Sequence, residues 1–284
     1  MQNITLQGLR AILSQDLKLI KHIADLTHAK KIIPLHQHAV RLEHVELHGE
    51  VRQQIETECY QAMLDIAVTP AAQTLQDFGL VAMDMDSTLI TIECIDEIAD
   101  MQGLKTEVAA ITEAAMRGEI EFRESLHHRV ALLKGLPANA LQRVIDQRLA
   151  LSLGAEQMLA KVQAAGLKTL LVSGGFTFFT ERMKQRLGLD FAHANHLEIV
   201  GDKLTGKVLG TIVDADEKQR TVERVCAELG ISTKQAIVMG DGANDLKMMA
   251  IAGMSVAFRA KPVVRAKADV ALNFVGLDGV LHLL

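Results

Sequence analysis

Three apolar runs along the chain end in short polar tips. Leu80-Val81-Ala82-Met83 runs into Asp84-Met85-Asp86-Ser87-Thr88, residues 167–172 run into Ser173-Gly174-Gly175, and residues 236–239 run into Gly240-Asp241-Gly242. Short apolar runs bounded by turn residues read as buried strands. Helical spacing separates them, over 156–165, from the second tip through Arg186, and over 218–229. Two more apolar runs follow at 254–258 and 270–272, and 197–208 reads as a hairpin around Gly201-Asp202. Strands alternating with helices predict an α/β fold, a doubly wound and mainly parallel sheet.

Two stretches depart from this rhythm. Residues 95–101, 105–117, 122–134 and 138–149 each have helical spacing, with Gly and Pro between them and no strand. They predict a helical insertion directly after the first polar tip, placed to cap it. Residues 1–78 carry a helix over 12–26, with Ile12, Leu17, Ile20, Ile23 and Ala24 on one face, a half-exposed strand over 39–47 and a helix over 51–66. This is a small α+β accessory module, separable from any chemistry the later motifs perform. The expected organisation is therefore 1–78 for the module, 79–94 with 151–284 for the core, and 95–150 for the cap.

Composition narrows the function classes. The 284 residues are 49% hydrophobic, enough for a sizeable core. A net charge of −5, no basic run and no Trp argue against nucleic-acid binding. No apolar run reaches the ~18 residues of a membrane span. Cys59, Cys94 and Cys226 have neither zinc nor disulfide spacing, and the chain opens on no signal peptide, so a reducing cytoplasm is expected.

The chemistry is written in the tips. Strand geometry puts Asp84 and Asp86 on the same side. Two carboxylates so close need a cation or a shared proton, and a divalent cation with oxygen ligands serves. Singly, each piece has an ordinary reading: Asp-x-Asp as a polar turn, Ser-Gly-Gly and Gly-Asp-Gly as tight loops, Lys218 as a solvated helix residue, Asn244 and Asp245 as helix caps. Together, in this order and each after a strand or opening a helix, they predict phosphoryl transfer. Asp84 is the expected nucleophile and Asp86 the acid and base. Mg²⁺ is expected on Asp84, Asp241 and the Asp86 carbonyl. Ser173, the Gly174 backbone and Lys218 would receive the phosphate. Gly201-x4-Gly206-Lys207 imitates a P-loop, but Val208 stands where Ser or Thr must be, and the setting is a hairpin.

These motifs, from Asp84-Met-Asp86-Ser-Thr to Gly240-Asp-Gly-Ala-Asn-Asp245, resemble the four motifs of the haloacid dehalogenase superfamily. Within it, Glu93, Ile95-Asp96-Glu97-Ile98-Ala99, Phe122-x-x-Ser125-Leu126-x-x-Arg129-Val130, Val172-Ser-Gly-Gly-Phe176 and Leu204-Thr205-Gly206 are similar to the phosphoserine phosphatases. The resemblance covers residue 79 to the end. It implies a Mg²⁺-dependent hydrolysis of O-phosphoserine, the last step of serine biosynthesis. Glu93 would take the ammonium and Arg129 the carboxylate, Met116 and Phe122 would be apolar cap positions near the substrate, Asn244 would bind substrate, and Asp245 would stand behind the metal ligands. Without the resemblance, Arg129 reads as an exposed helix residue. Some relatives carry ACT-like regulatory modules where residues 1–78 stand, and a homodimer is left open. The rival readings are a phosphotransferase passing the phosphoryl group to homoserine or another alcohol, and a receiver domain phosphorylated on Asp84.

Overall fold

The computed structural model describes residues 1–116 and 119–284, without the Met116 side chain. Residues 1–70 form β1 (Gln2–Gly8), α1 (Ser14–Leu26), β2 (Lys31–His36), β3 (Ala39–Val45), α2 (Gly49–Gln61) and β4 (Leu64–Pro70). Their antiparallel sheet has the order β2-β3-β1-β4. Ile20, Ile23 and Ala24 of α1 and Ile55 and Cys59 of α2 pack on Ile4, Leu6, Val40 and Leu42. Leu17, expected on the buried face, is exposed.

The spacing predicts one helix over 51–66, but the chain does otherwise. α2 stops at Gln61, Met63 turns through φ 57°, and the strand β4 begins at Leu64. Ile66, Val68 and Thr69 are β-branched and favour the pleated surface that β1 offers.

The core begins with β5 (Leu80–Met83), and the cap follows as α3 (Cys94–Asp100), α4 (Lys105–Met116), α5 (Phe122–Leu132) and α6 (Asn139–Gln147). The end of the predicted 105–117 helix, Arg117, lies outside the described residues. The chain then returns to the core through α7 (Ala155–Ala164), β6 (Lys168–Phe176), α8 (Thr177–Leu187), β7 (Phe191–Val200), β8 (Lys203–Leu209) and α9 (Ala215–Glu228). It finishes with β9 (Ala236–Gly240), α10 (Leu246–Ile251), β10 (Met254–Phe258), α11 (Pro262–Arg265) and β11 (Val270–Leu272).

Among the described residues the core sheet has seven strands in the order β11-β10-β9-β5-β6-β7-β8, all neighbours parallel except β7 and β8. Successive side chains of a strand face opposite sides. Val81 and Met83 of β5 therefore join Met158, Val162 and Phe179 of α7 and α8, while Leu80 and Ala82 join Val222, Val225, Met248 and Met249 of α9 and α10. Chain order runs outward in both directions from β5, so the switch point lies between β5 and β9. Open α/β sheets bind ligands outside the carboxyl ends of their strands at such a point. The hairpin also steadies the cap: Gly135 N–H donates to the Leu204 carbonyl, and Leu204 N–H to that of Leu136.

Candidate active site

Asp84 follows the last residue of β5. Its Oδ1 accepts from Met85 N–H at 2.7 Å and meets Lys218 Nζ at 2.8 Å, so the plane of the carboxylate is fixed. Lys218, fully buried in the first turn of α9, also reaches Asp245 Oδ1 at 2.7 Å. The other Asp245 oxygen accepts from Asp241 N–H at 3.2 Å and Gly242 N–H at 3.0 Å. A Cβ on Gly240 would stand 2.4 Å from that oxygen, so only glycine lets the loop close around it. Thr88 donates to Asp241 Oδ1 at 3.2 Å, tying the β5 loop to the β9 loop.

Carboxylate oxygens of Asp84, Asp241 and Asp245 all lie within 4.8 Å of one another. Asp245 is spoken for by Lys218 and two N–H groups, which leaves Asp84 and Asp241 to face a ligand. Burial and then Asp245 raise the Asp84 pKa well above the ordinary carboxylate range, against the pull of Lys218. Burial, Asp245 and Glu93 push Asp241 up to about 6. For Lys218 burial opposes the charge, but Asp245 and Asp84 outweigh it and raise its pKa. Three acids against one ammonium leave a shortage of positive charge. An all-oxygen donor set with that shortage fits a hard divalent cation.

Asp86 has other partners. Its Oδ1 accepts from Cys94 N–H at 3.3 Å, and a Cβ on Gly175 would meet its Oδ2 at 2.8 Å, so the β6 tip lies against it. Burial and the nearby Glu93 push Asp86 up to about 7, a proton affinity suited to giving and taking a proton near neutral pH. The metal ligand expected at Asp86 is its backbone carbonyl, and its carboxylate is not among the three that lie together. Ser173 Oγ accepts from Gly175 N–H at 2.8 Å, which leaves its own proton to donate.

Ser87 Oγ donates to Glu93 at 2.7 Å, and loss of solvent around Glu93 raises its pKa against the pull of that bond. Arg129 is half-buried rather than exposed. Burial lowers its pKa from the usual guanidinium value, and Asp96, Glu93 and Asp86 offset part of that. Phe122 sits 3.3 Å from where a Gly174 Cβ would be, bringing the cap onto the β6 tip. Asn244 is half-buried beside Gly242, and the Met116 side chain lies outside the described residues.

Sequence reasoning missed Asn195, which is 1% exposed. Its amide donates to the Gly174 carbonyl at 2.7 Å and accepts from Val213 N–H at 2.8 Å, joining the β6 tip to the lead-in of α9. No local pattern marks a polar residue within a strand as a clamp. Cys94, Asp96 and Thr88 were likewise unassigned.

The pattern of the family described as haloacid dehalogenase-like hydrolase matches residues 78–253. A phosphoserine phosphatase of Polaromonas sp. is 53% identical over 232 residues, 80% of this chain and 98% of that protein. The chain belongs to the phosphoserine phosphatase family of the haloacid dehalogenase-like hydrolases. A solved HAD family hydrolase from Salmonella enterica serovar Typhi superposes with a TM-score of 0.90 at 35% identity, covering 100% of this chain and 98% of that one. A phospho-aspartyl intermediate analogue of a phosphoserine phosphatase superposes with a TM-score of 0.68 at 39% identity, over 72% of this chain and 97% of the other. The family membership agrees with an enzyme site that holds a divalent metal. No described helix is long and apolar enough to cross a membrane.

Proposed function

We propose that this chain hydrolyses O-phospho-L-serine to L-serine and inorganic phosphate through an aspartyl-phosphate on Asp84. The observation that carries the reading is the meeting of Asp84, Lys218, Asp241 and Asp245 at the switch point of the sheet. Asp84 Oδ1 is engaged by Lys218 and Met85 N–H, so Oδ2 is the oxygen free to attack phosphorus. As the P–O bond to the serine side chain breaks, Asp86 gives its proton to the departing alkoxide. Asp86 then takes a proton from the water that attacks the aspartyl-phosphate, releasing phosphate and restoring Asp84.

Lys218, the Ser173 hydroxyl and the backbone N–H groups of the β6 tip answer the charge on the phosphoryl oxygens, the main task in this chemistry. Asp84, Asp241 and the Asp86 carbonyl would hold Mg²⁺, which supplies further neutralisation of that charge. Glu93 and Arg129 offer one acid and one base for the ammonium and carboxylate of the substrate, and Arg suits a carboxylate because it can bind it through two parallel N–H bonds. The buried free thiols of Cys59, Cys94 and Cys226 accord with the cytoplasm.

The test is a phosphate-release screen over phosphorylated amino acids and sugars, with Mg²⁺ or EDTA and with and without an added alcohol. Preference for phosphoserine, dependence on Mg²⁺ and indifference to the alcohol are expected. A preference for a phosphosugar, or transfer to the alcohol, would overturn the reading.

A further inference from the structure

Arg123 is the second residue of α5, where a cation faces the positive end of the helix. Its position is answered from outside the cap. Arg123 Nε donates to Asp214 Oδ2 at 2.7 Å, and Nη2 meets the same oxygen. Asp214 belongs to the core and is the N-cap of α9: its Oδ1 accepts from Glu217 N–H at 2.9 Å, and its carbonyl accepts from Lys218 N–H at 2.9 Å. One carboxylate thus closes the first turn of the helix that carries Lys218 with one oxygen and holds the cap with the other.

The surroundings make this contact more than a surface ion pair. Asp214 is 13% exposed at its side chain, although Arg123 is 57% exposed. The preceding residue of the cap, Phe122, lies over Gly174, and the preceding residue of the core, Val213, is held by Asn195 together with Gly174. The cap edge, the phosphate loop and the Lys218 turn therefore meet at Arg123 and Asp214. We propose that Arg123 is a positioning residue that, through Asp214, latches the cap closed over the site in register with the Lys218 turn. The inference rests on the phosphatase reading for its readout, but not on phosphoserine being the substrate.

Arg123 touches no substrate in this scheme, so its effect should be common to all substrates, unlike that of Arg129. Arg123→Ala and Asp214→Asn, the latter keeping a capping oxygen, are each expected to raise KM about three- to tenfold, with kcat within about twofold. The rise should be alike for phosphoserine and phosphoethanolamine. The double variant should be no worse than either single one, because both break the same contact. Arg123→Lys should recover most of the loss, and about 0.5 M NaCl should narrow the gap between wild type and Arg123→Ala. Losses that multiply in the double variant, wild-type KM in both single variants, or a loss confined to carboxylate-bearing substrates would each overturn the latch. If the wild type turns over another phosphomonoester and not phosphoserine, the substrate assignment fails alone, and the same cycle is read on that ester.

Discussion

Asp65 and Asp84 are both buried aspartates, and the protein treats them in opposite ways. Asp65 on β4 is 1% exposed and accepts four hydrogen bonds, from Asn273 N–H at 2.7 Å, Asn273 Nδ2 at 3.1 Å, Phe274 N–H at 2.9 Å and Val275 N–H at 3.0 Å. Burial raises its pKa, and those donors pull it back. The result is a satisfied group that staples the N-terminal sheet to the end of β11. Around it Gln7 donates to the Gly279 carbonyl and Arg41 to that of His282, so the chain's last turns lie against the sheet formed by its first residues. Asp84 sits among acids with too little positive charge to balance them. Burial alone does not mark a functional aspartate; an unbalanced demand for positive charge does.

The sharpest way to break this contrast is substitution at the two positions. Asp84→Asn is expected to lower turnover on the order of 10⁴–10⁶-fold, as loss of a nucleophile does, while the protein still folds. Phosphate release by the pure variant at near wild-type rate would show that Asp84 is structural after all. Asp86→Asn should cost ~10²–10⁴-fold and cost more on seryl phosphate than on p-nitrophenyl phosphate, whose leaving group needs no proton. Equal losses on the two would remove Asp86 from the proton-transfer role.

Arg129→Ala should raise KM for phosphoserine about ten- to hundredfold, the worth of a lost charge-assisted hydrogen bond. It should leave phosphoethanolamine, which lacks the carboxylate, nearly unaffected. Equal depression of both substrates would assign Arg129 to cap structure. Asp65→Ala should do the reverse of Asp84→Asn. It strands three backbone donors, one buried and two partly buried, costs about 2–4 kcal/mol of stability and leaves kcat of the folded fraction close to wild type. An unchanged melting temperature would show that the staple carries no energy.

The smallest effect is one of pH. In the metal-free protein Asp241 and Asp86 are raised to about 6 and about 7, above their unfolded value. The folded state therefore binds more protons between those values, and the stabilisation is full below the unfolded pKa and lost as pH rises through 6 and 7. Mg²⁺ competes with the proton on Asp241, whose carboxylate would ligate it, so the gain in melting temperature on adding Mg²⁺ should be larger at pH 8 than at pH 5.5. A gain that does not grow with pH would separate the metal from this cluster.

Much of this was legible in the sequence because the core obeys local rules. Buried parallel strands are short apolar runs, and their polar tips follow at once, which brings Asp84, Ser173 and Asp241 to strand ends, while Lys218 lies in the helix that leads to β9. The cap helices were legible through their helical spacing, with Gly or Pro between them. The N-terminal module was harder. β1 and β4 bury polar residues such as Thr5, Gln7, Asp65 and Thr69 on the face that meets the rest of the chain, so the alternation that marks a half-buried strand is blurred. Asn195, Arg123 and Asp214 were illegible for a different reason. Their roles depend on partners 18 to 91 residues away, and spacing along the chain says nothing about such pairs.

The central claim is that phosphate passes through Asp84. Rapid acid quenching of the enzyme with phosphoserine, followed by peptide mass spectrometry, tests it most directly. A phosphoryl group on the peptide containing Asp84, formed within one turnover, labile to hydroxylamine and absent from Asp84→Asn, is the predicted result. Release of phosphate at full rate with no phosphorylated protein at any quench time, together with turnover by Asp84→Asn, would contradict it.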